Sequence, residues 1–217
     1  MVVAIDGPAG VGKSSIAKMI ADKCDFYYLN SGSFYRAYTY AHQKAGKDPF
    51  DNNGVLNTAR NTPLTVENGL ICIDGESVED KLHTPEVDAV VAQVSANPQL
   101  RKHVDSQLRE IAKGLDVVVE GRDITTVVFP DAELKCFFDA TPEVRAERRF
   151  KQHPEGQSYE SVLKQIIERD YIDRNKEFGT LKVAEDALYI DTSHLTIGQV
   201  CEKVLSAIFA LKSEANR

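Results

Sequence analysis

The feature that most constrains this chain is a short string near its start, Gly7-Pro8-Ala9-Gly10-Val11-Gly12-Lys13-Ser14. It fits G-x-x-x-x-G-K-[ST], and both flanks agree with it. The apolar run 1–5 reads as a strand, and 14–24 places Ile16, Met19 and Ile20 at helical spacing. The glycines let successive backbone N–H groups turn inward around a phosphate, where the start of the helix adds partial positive charge. Lys13 can reach the β- and γ-oxygens as a point charge, the Ser14 hydroxyl can ligate Mg²⁺, and the cradle runs on to Ser15. Such a cradle binds a nucleoside triphosphate, but it serves GTPases, ATPase motors and small-molecule kinases alike. The guanine-reading N-K-x-D of a GTPase is missing: Asn175-Lys176-Glu177-Phe178 lacks the Asp and ends a helical stretch. Asp51-Asn52-Asn53-Gly54 matches D-x-x-G without a hydrophobic strand before it, and reads as chance.

Beyond the cradle, short buried-type strands alternate with helices. Strands are read at 26–29, 117–119, 134–139 and 187–191, and helices at 33–43, 98–113, 142–151, 159–176 and 197–212. Asn30-Ser31-Gly32 reads as a turn between its strand and helix. With the first strand this makes five, which require a parallel sheet covered on both faces. The alternation breaks at 47–84, a loop-rich stretch. There Asn68-Gly69 and Asp74-Gly75 are hairpin signals between alternating strands, with a helix at 85–94 after them. The expected division is a core of 1–44 and 95–217 carrying a small antiparallel insert, 45–94, with the last residues, 213–217, frayed.

Composition narrows the class. A net charge of −7 argues against a non-specific nucleic-acid binder, so an anionic ligand must be held by local clusters of Lys and Arg. No apolar run approaches the about 18 residues of a membrane span. Cys24, Cys72, Cys136 and Cys201 are far apart with no C-x-x-C pair, and no signal-peptide pattern opens the chain, which suits a reduced cytoplasmic setting. The five histidines form no H-E-x-x-H or H-x-H, so surface or packing roles suit them better than a metal site.

Three further strings carry a resemblance. Asn30-Ser31-Gly32-Ser33-Phe34-Tyr35-Arg36-Ala37 resembles the D-[ST]-G-x-x-Y-R motif of bacterial cytidylate kinases. Residues 120–132, E-G-R-D-I-T-T-V-V-F-P-D-A, closely resemble their [DE]-G-R-D-x-G-T-V-V-F-P-D-A segment, and 168–175, E-R-D-Y-I-D-R-N, is similar to their lid-end helix. The likeness runs from Val3 to about Val204. It implies an α/β, three-layer P-loop kinase fold with a five-stranded parallel sheet, an antiparallel insert that binds a nucleoside monophosphate, and a helical lid at about 145–170. It also implies a cytoplasmic monomer that uses ATP and Mg²⁺ to phosphorylate CMP and dCMP to CDP and dCDP. Its partners would be small molecules, with no nucleic acid and no membrane.

The resemblance also implies roles, which can be weighed by their chemistry. Arg36 and Arg122 would grip the acceptor phosphate, each planar fork bonding two oxygens. Arg101 and Asp123 would read cytosine, the carboxylate accepting from the exocyclic amine that uracil lacks. Arg169 and Asp173, one helical turn apart, would hold the ribose, with Ser31 and Tyr35 also lining the acceptor site. Arg36, Arg122 and Asp123 follow strands at their carboxyl ends, where ligands of open α/β sheets sit. Arg145, Arg148 and Arg149 share a helix face by spacing and precede the loop His153-Pro154-Glu155-Gly156-Gln157. They read as lid arginines closing over the transferred phosphoryl, with Arg148 and Arg149 as the catalytic pair and the contacting residue left open. Glu120 ends an apolar strand and reads equally as an acid that orients Mg²⁺ through water and as a turn former. The departures from the family pattern are Asn30 for its Asp, Ala92 for a Ser near the base pocket, Thr125 for a Gly, and Lys176 for an Arg. Two other readings stay open: a kinase for a different small acceptor, and a regulatory protein that hydrolyses ATP slowly.

Overall fold

The computed structural model describes residues 1–67, 69–152 and 158–215. The elements begin with β1 (Val2–Asp6), α1 (Lys13–Cys24), β2 (Tyr27–Asn30), α2 (Ser31–Lys44) and α3 (Asn52–Asn61). There follow β3 (Leu64–Glu67), β4 (Leu70–Ile73), β5 (Glu76–Ser77), α4 (Pro85–Val94) and α5 (Pro98–Ala112). The chain continues through β6 (Val117–Gly121), a π-helical turn (Ile124–Val128), β7 (Leu134–Asp139), α6 (Pro142–Gln152), α7 (Tyr159–Asn175), β8 (Leu188–Asp191) and α8 (Ile197–Ala215). Two compact units are present, Met1–Tyr28 with Leu115–Arg217, and Leu29–Gly114.

The first unit is organised by a five-stranded sheet of order β2-β6-β1-β7-β8, in which β1 pairs in parallel with β6 and β7, and β7 with β8. Parallel strands covered on both faces need near-continuous apolar sequence, and Val117, Val118 and Val119 are all fully buried. One core cluster joins Val3, Ile5 and Phe138 of the sheet to Ile16 and Ile20 of α1 and Val204 of α8. Burying each such side chain contributes about 1.5–3 kcal/mol, so the sheet and its two covering helices form one cooperative body. α1 ends where Asp25 adopts a left-handed conformation (φ 56°) and donates its N–H to the Ala21 carbonyl. The register sets Asp6 beside Gly121, so the turns after β1 and β6 leave the sheet at the same edge.

The second unit packs α2 against α3, α4 and α5, beside the antiparallel sheet β3-β4-β5. Its helices start where the sequence supplies caps. Asn30, Asp51 and Asn97 each accept two backbone N–H bonds, Thr84 accepts one from Val87, and proline follows both Thr84 and Asn97. Tyr38, buried on α2, donates its hydroxyl to Gln107 of α5 at 2.7 Å.

Several expectations need correction. Asn30-Ser31-Gly32 does not form a separate turn: Asn30 caps α2 and the helix begins at Ser31. The stretch 47–84 is not all loop and hairpin, since α3 occupies Asn52–Asn61. The compact unit Leu29–Gly114 takes in α2 and α5 along with the stretch 45–94, α2 packing on α3 and α4 and α3 on α5. Asp74 and Gly75, both at positive φ, turn β4 into β5 as the sequence suggests. Residue 68 of the other hairpin signal, the loop 153–157 and the terminal residues 216–217 lie outside the described residues.

Candidate active site

In the first unit, the loop Gly7–Gly12 connects β1 to α1 and owes its path to two glycines in particular. A Cβ on Gly7 would stand 2.2 Å from the Phe138 carbonyl oxygen, so only glycine lets the loop hug the end of β7. Gly12, at φ 94°, feeds directly into the first turn of α1. That turn has no side-chain cap, which leaves its N–H groups facing the loop. Lys13 is buried there, its ammonium donating to the carbonyls of Gly7 and Pro8, both at 2.8 Å. Burial pushes its pKa down to about 7. Arg122 pushes the same way, while Glu120, Asp6 and Asp173 oppose them. Ser14 and Ser15 are exposed beside it.

β6 brings the next groups. Glu120 is buried and accepts the Tyr28 hydroxyl at 2.7 Å, so it is a held carboxylate at the sheet edge. Arg122 donates through Nε to Asp173 at 2.8 Å, and Asp173 also receives Arg169 (3.4 Å) and Lys176 (3.3 Å). Burial alone would raise the Asp173 pKa. Arg122, Arg169 and Lys176 together outweigh it and hold the carboxyl well below the usual range. Lys176, where the cytidylate kinase pattern has Arg, thus keeps a cation on the same partner. Asp123 is buried and opens the π-helical turn, its carbonyl accepting from Val127 and Val128.

The three arginines of α6 separate. Arg145 is buried, bonds both Asp170 oxygens, and donates to the carbonyls of Ala140 (2.9 Å) and Ala9 (3.1 Å). It ties the cradle to α7. Arg148 donates to the Thr192 hydroxyl and carbonyl at 3.1 and 2.6 Å, and Arg149 is exposed.

In the second unit, Ser31 and Tyr35 are buried on α2, and the Arg101 guanidinium lies over the Tyr35 ring at 5.4 Å. Arg101 also donates to the Ser95 carbonyl, which fixes the end of α4. Arg36 donates through Nη1 to the Leu82 carbonyl and to Asp88 of α4, bonds that leave its Nε and Nη2 out of account. Ala92 is half-buried on the same helix.

The sequence pattern of the cytidylate kinase family matches residues 3–210. The chain belongs to the cytidylate kinase family. A cytidylate kinase from Clostridium botulinum (strain Langeland) is 40% identical over 209 residues, covering 95% of this chain and 96% of that one. One from Clostridioides difficile (strain 630) is 40% identical over 211 residues, covering 96% and 98%. A solved gluconokinase from Sinorhizobium meliloti 1021 superposes with a TM-score of 0.50 at 15% identity over 99% of this chain and 95% of that one, a likeness of fold.

The family motifs contain Lys13, Arg122 and Asp173, while the sequence assigned no role to four residues bonded to or beside them. Asp6, Tyr28, Asp170 and Thr125 all act through partners far away in the chain. For Asp6 one signal existed: an acid closing an apolar strand must find donors where it is buried.

Proposed function

We propose that this chain transfers the γ-phosphoryl group of ATP to CMP and dCMP, producing ADP with CDP or dCDP. The observation that carries this reading is the family match over residues 3–210, which spans the cradle, the E-G-R-D segment and α7 together. In the proposed arrangement Gly7 to Ser15 hold the ATP phosphates, with Lys13 giving up its carbonyl partners for the β- and γ-oxygens. Arg36 and Arg122 grip the acceptor phosphate, Arg101 and Asp123 read cytosine, and Arg169 with Asp173 holds the ribose. Ser31 and Tyr35 line that site. Arg148 and Arg149 neutralise charge on the transferred group.

No general base is needed, because a phosphate monoester with a second pKa near 6 is already mostly dianionic at neutral pH. Its oxygen attacks the γ-phosphorus in line with the leaving ADP oxygen, and the protein supplies position and charge. The exposed Ser14 hydroxyl and the buried Glu120 carboxylate fit Mg²⁺, which takes few protein ligands beside phosphates and water. Ser14 would hold it directly and Glu120 through water. The ion supplies neutralisation of the phosphate oxygens. We further propose a cytoplasmic monomer acting on small molecules, without nucleic acid or membrane partners. No helix among the described residues is long and apolar enough to cross a membrane, and the four cysteines are free thiols.

The test is ADP release from ATP·Mg²⁺ with a panel of acceptors: CMP, dCMP, UMP, AMP and shikimate. CMP and dCMP should raise the rate far above that of ATP alone. Stimulation by a different acceptor only, or by none, would overturn the reading.

A further inference from the structure

The segment that carries Arg122 and Asp123 is fixed to the phosphate cradle by a contact that the roles above leave unexplained. Asp6 is the last residue of β1, lies opposite Gly121 of β6, and is fully buried. Its Oδ1 accepts the Ile124 N–H at 2.9 Å, and its Oδ2 accepts both the Thr125 N–H and the Thr125 hydroxyl at 2.7 Å. The next residue of the chain is Gly7, whose space is closed by the Phe138 carbonyl, so the cradle side of this contact cannot slide.

On the other side, the Asp123 carbonyl accepts from Val127 and Val128. The peptide units after Asp123 are therefore held at both ends, by Asp6 ahead and by the π-helical turn behind. Single π turns of this kind are uncommon and concentrate at functional sites. We propose that Asp6 is a positioning residue for acceptor recognition. It sets Arg122 and Asp123 relative to the cradle, and the Thr125 hydroxyl is a built part of that clamp.

The chemistry of the three donors selects a carboxylate. An ionised Asp is acceptor-only and can take all three, whereas Asn would turn an amide N–H toward one of them. Burial pushes the Asp6 pKa up, the bonds from Thr125 and Ile124 oppose that and Asp123 adds to it, leaving it raised to about 6. Those donors are what keep it charged at neutral pH. Glycine at 125 would supply only the backbone N–H, so the hydroxyl here is an addition to the usual family pattern.

The inference rests on the CMP-kinase reading, and wild-type enzyme run alongside separates the two. Thr125→Val keeps the shape and removes the hydroxyl; Thr125→Ser restores it; Asp6→Asn tests the charge. KM for CMP, KM for ATP and kcat are measured for each, with affinity for a non-hydrolysable ATP analogue and thermal melting as separate readouts. Thr125→Val should raise KM for CMP about 2- to 10-fold, the range of one hydrogen bond, with analogue affinity within about twofold of wild type. Thr125→Ser should return it. Asp6→Asn should lower kcat/KM for CMP by about 10- to 100-fold, as loss of bonds to a charged acceptor implies. If Asp6→Asn does not fold, the Val/Ser pair still decides. A Thr125→Val enzyme that melts lower with unchanged KM for CMP, or that loses both substrates equally, overturns the inference. Wild-type enzyme without CMP-stimulated ADP release overturns the function and this inference with it.

Discussion

Asp173 gathers Arg122 from 51 positions away, Arg169 one turn earlier on α7, and Lys176 just past the helix end. Because its folded pKa lies below the ordinary carboxylate value of 3.8, the cluster contributes stability that is full above about pH 4 and is lost as the pH falls further. Asp173→Asn is expected to cost about 1–3 kcal/mol near neutrality, since it weakens bonds to charged partners. Urea unfolding at about pH 7, 5 and 3 should show the gap to wild type closing only in the most acid sample. A gap independent of pH would mean that Asp173 acts by shape alone. The spacing of Arg169 and Asp173 was legible because i, i+4 is a local relation. The Arg122 partnership was not, since residue periodicity carries no information about which distant strand end meets which helix. Gly7 offers a second test at this scale. Gly7→Ala would drive a methyl into the Phe138 carbonyl, and should destabilise by about 1–3 kcal/mol or more while abolishing ATP binding. Unchanged melting and nucleotide affinity would contradict the clash.

Among the elements, α2 explains one departure from the family pattern. Asn30 sits at its N-cap and accepts from the N–H groups of Gly32 (2.9 Å) and Ser33 (3.3 Å), which an Asp would do equally. Asn30→Ala should therefore cost about 1 kcal/mol in denaturant unfolding, and Asn30→Asp should match wild type or gain a few tenths from the helix dipole. An Ala variant as stable as wild type would remove Asn30 from the cap. The same capping logic holds at the start of α4, where Thr84 caps the helix that Pro85 begins. It could have revealed α3, whose Asp51 caps in the same way. That helix was missed because Asn52, Asn53 and Gly54 are weak helix formers and its buried face is only Val55, Thr58 and Ala59. Packing against α2 and α5 holds it, and packing is what a short pattern cannot announce. The π-helical turn after Asp123 was invisible for a related reason: its donors are satisfied by Asp6, 118 and 119 positions away.

For the molecule as a whole, the net charge of −7 opposes the approach of anionic substrates, while the candidate contacts are cations. The two influences respond to salt in opposite directions, so distance decides between them. An acidic group farther from the bound anion than the Debye length of about 10 Å at 0.1 M repels it weakly, because salt already damps the interaction there. Arg122, Arg169 and Lys13 would touch phosphate or ribose directly, and added salt competes with them for the anion. The local cluster should therefore win. KM for CMP should rise severalfold between about 0.05 and 0.5 M KCl, with kcat changed much less because the closed site screens poorly. Arg122→Gln should flatten that salt dependence as well as raise KM, since it deletes one of the cations being competed for. A KM that falls with salt would show the overall negative charge dominating. It would then move acceptor capture from the Arg122 cluster to groups that carry no net charge.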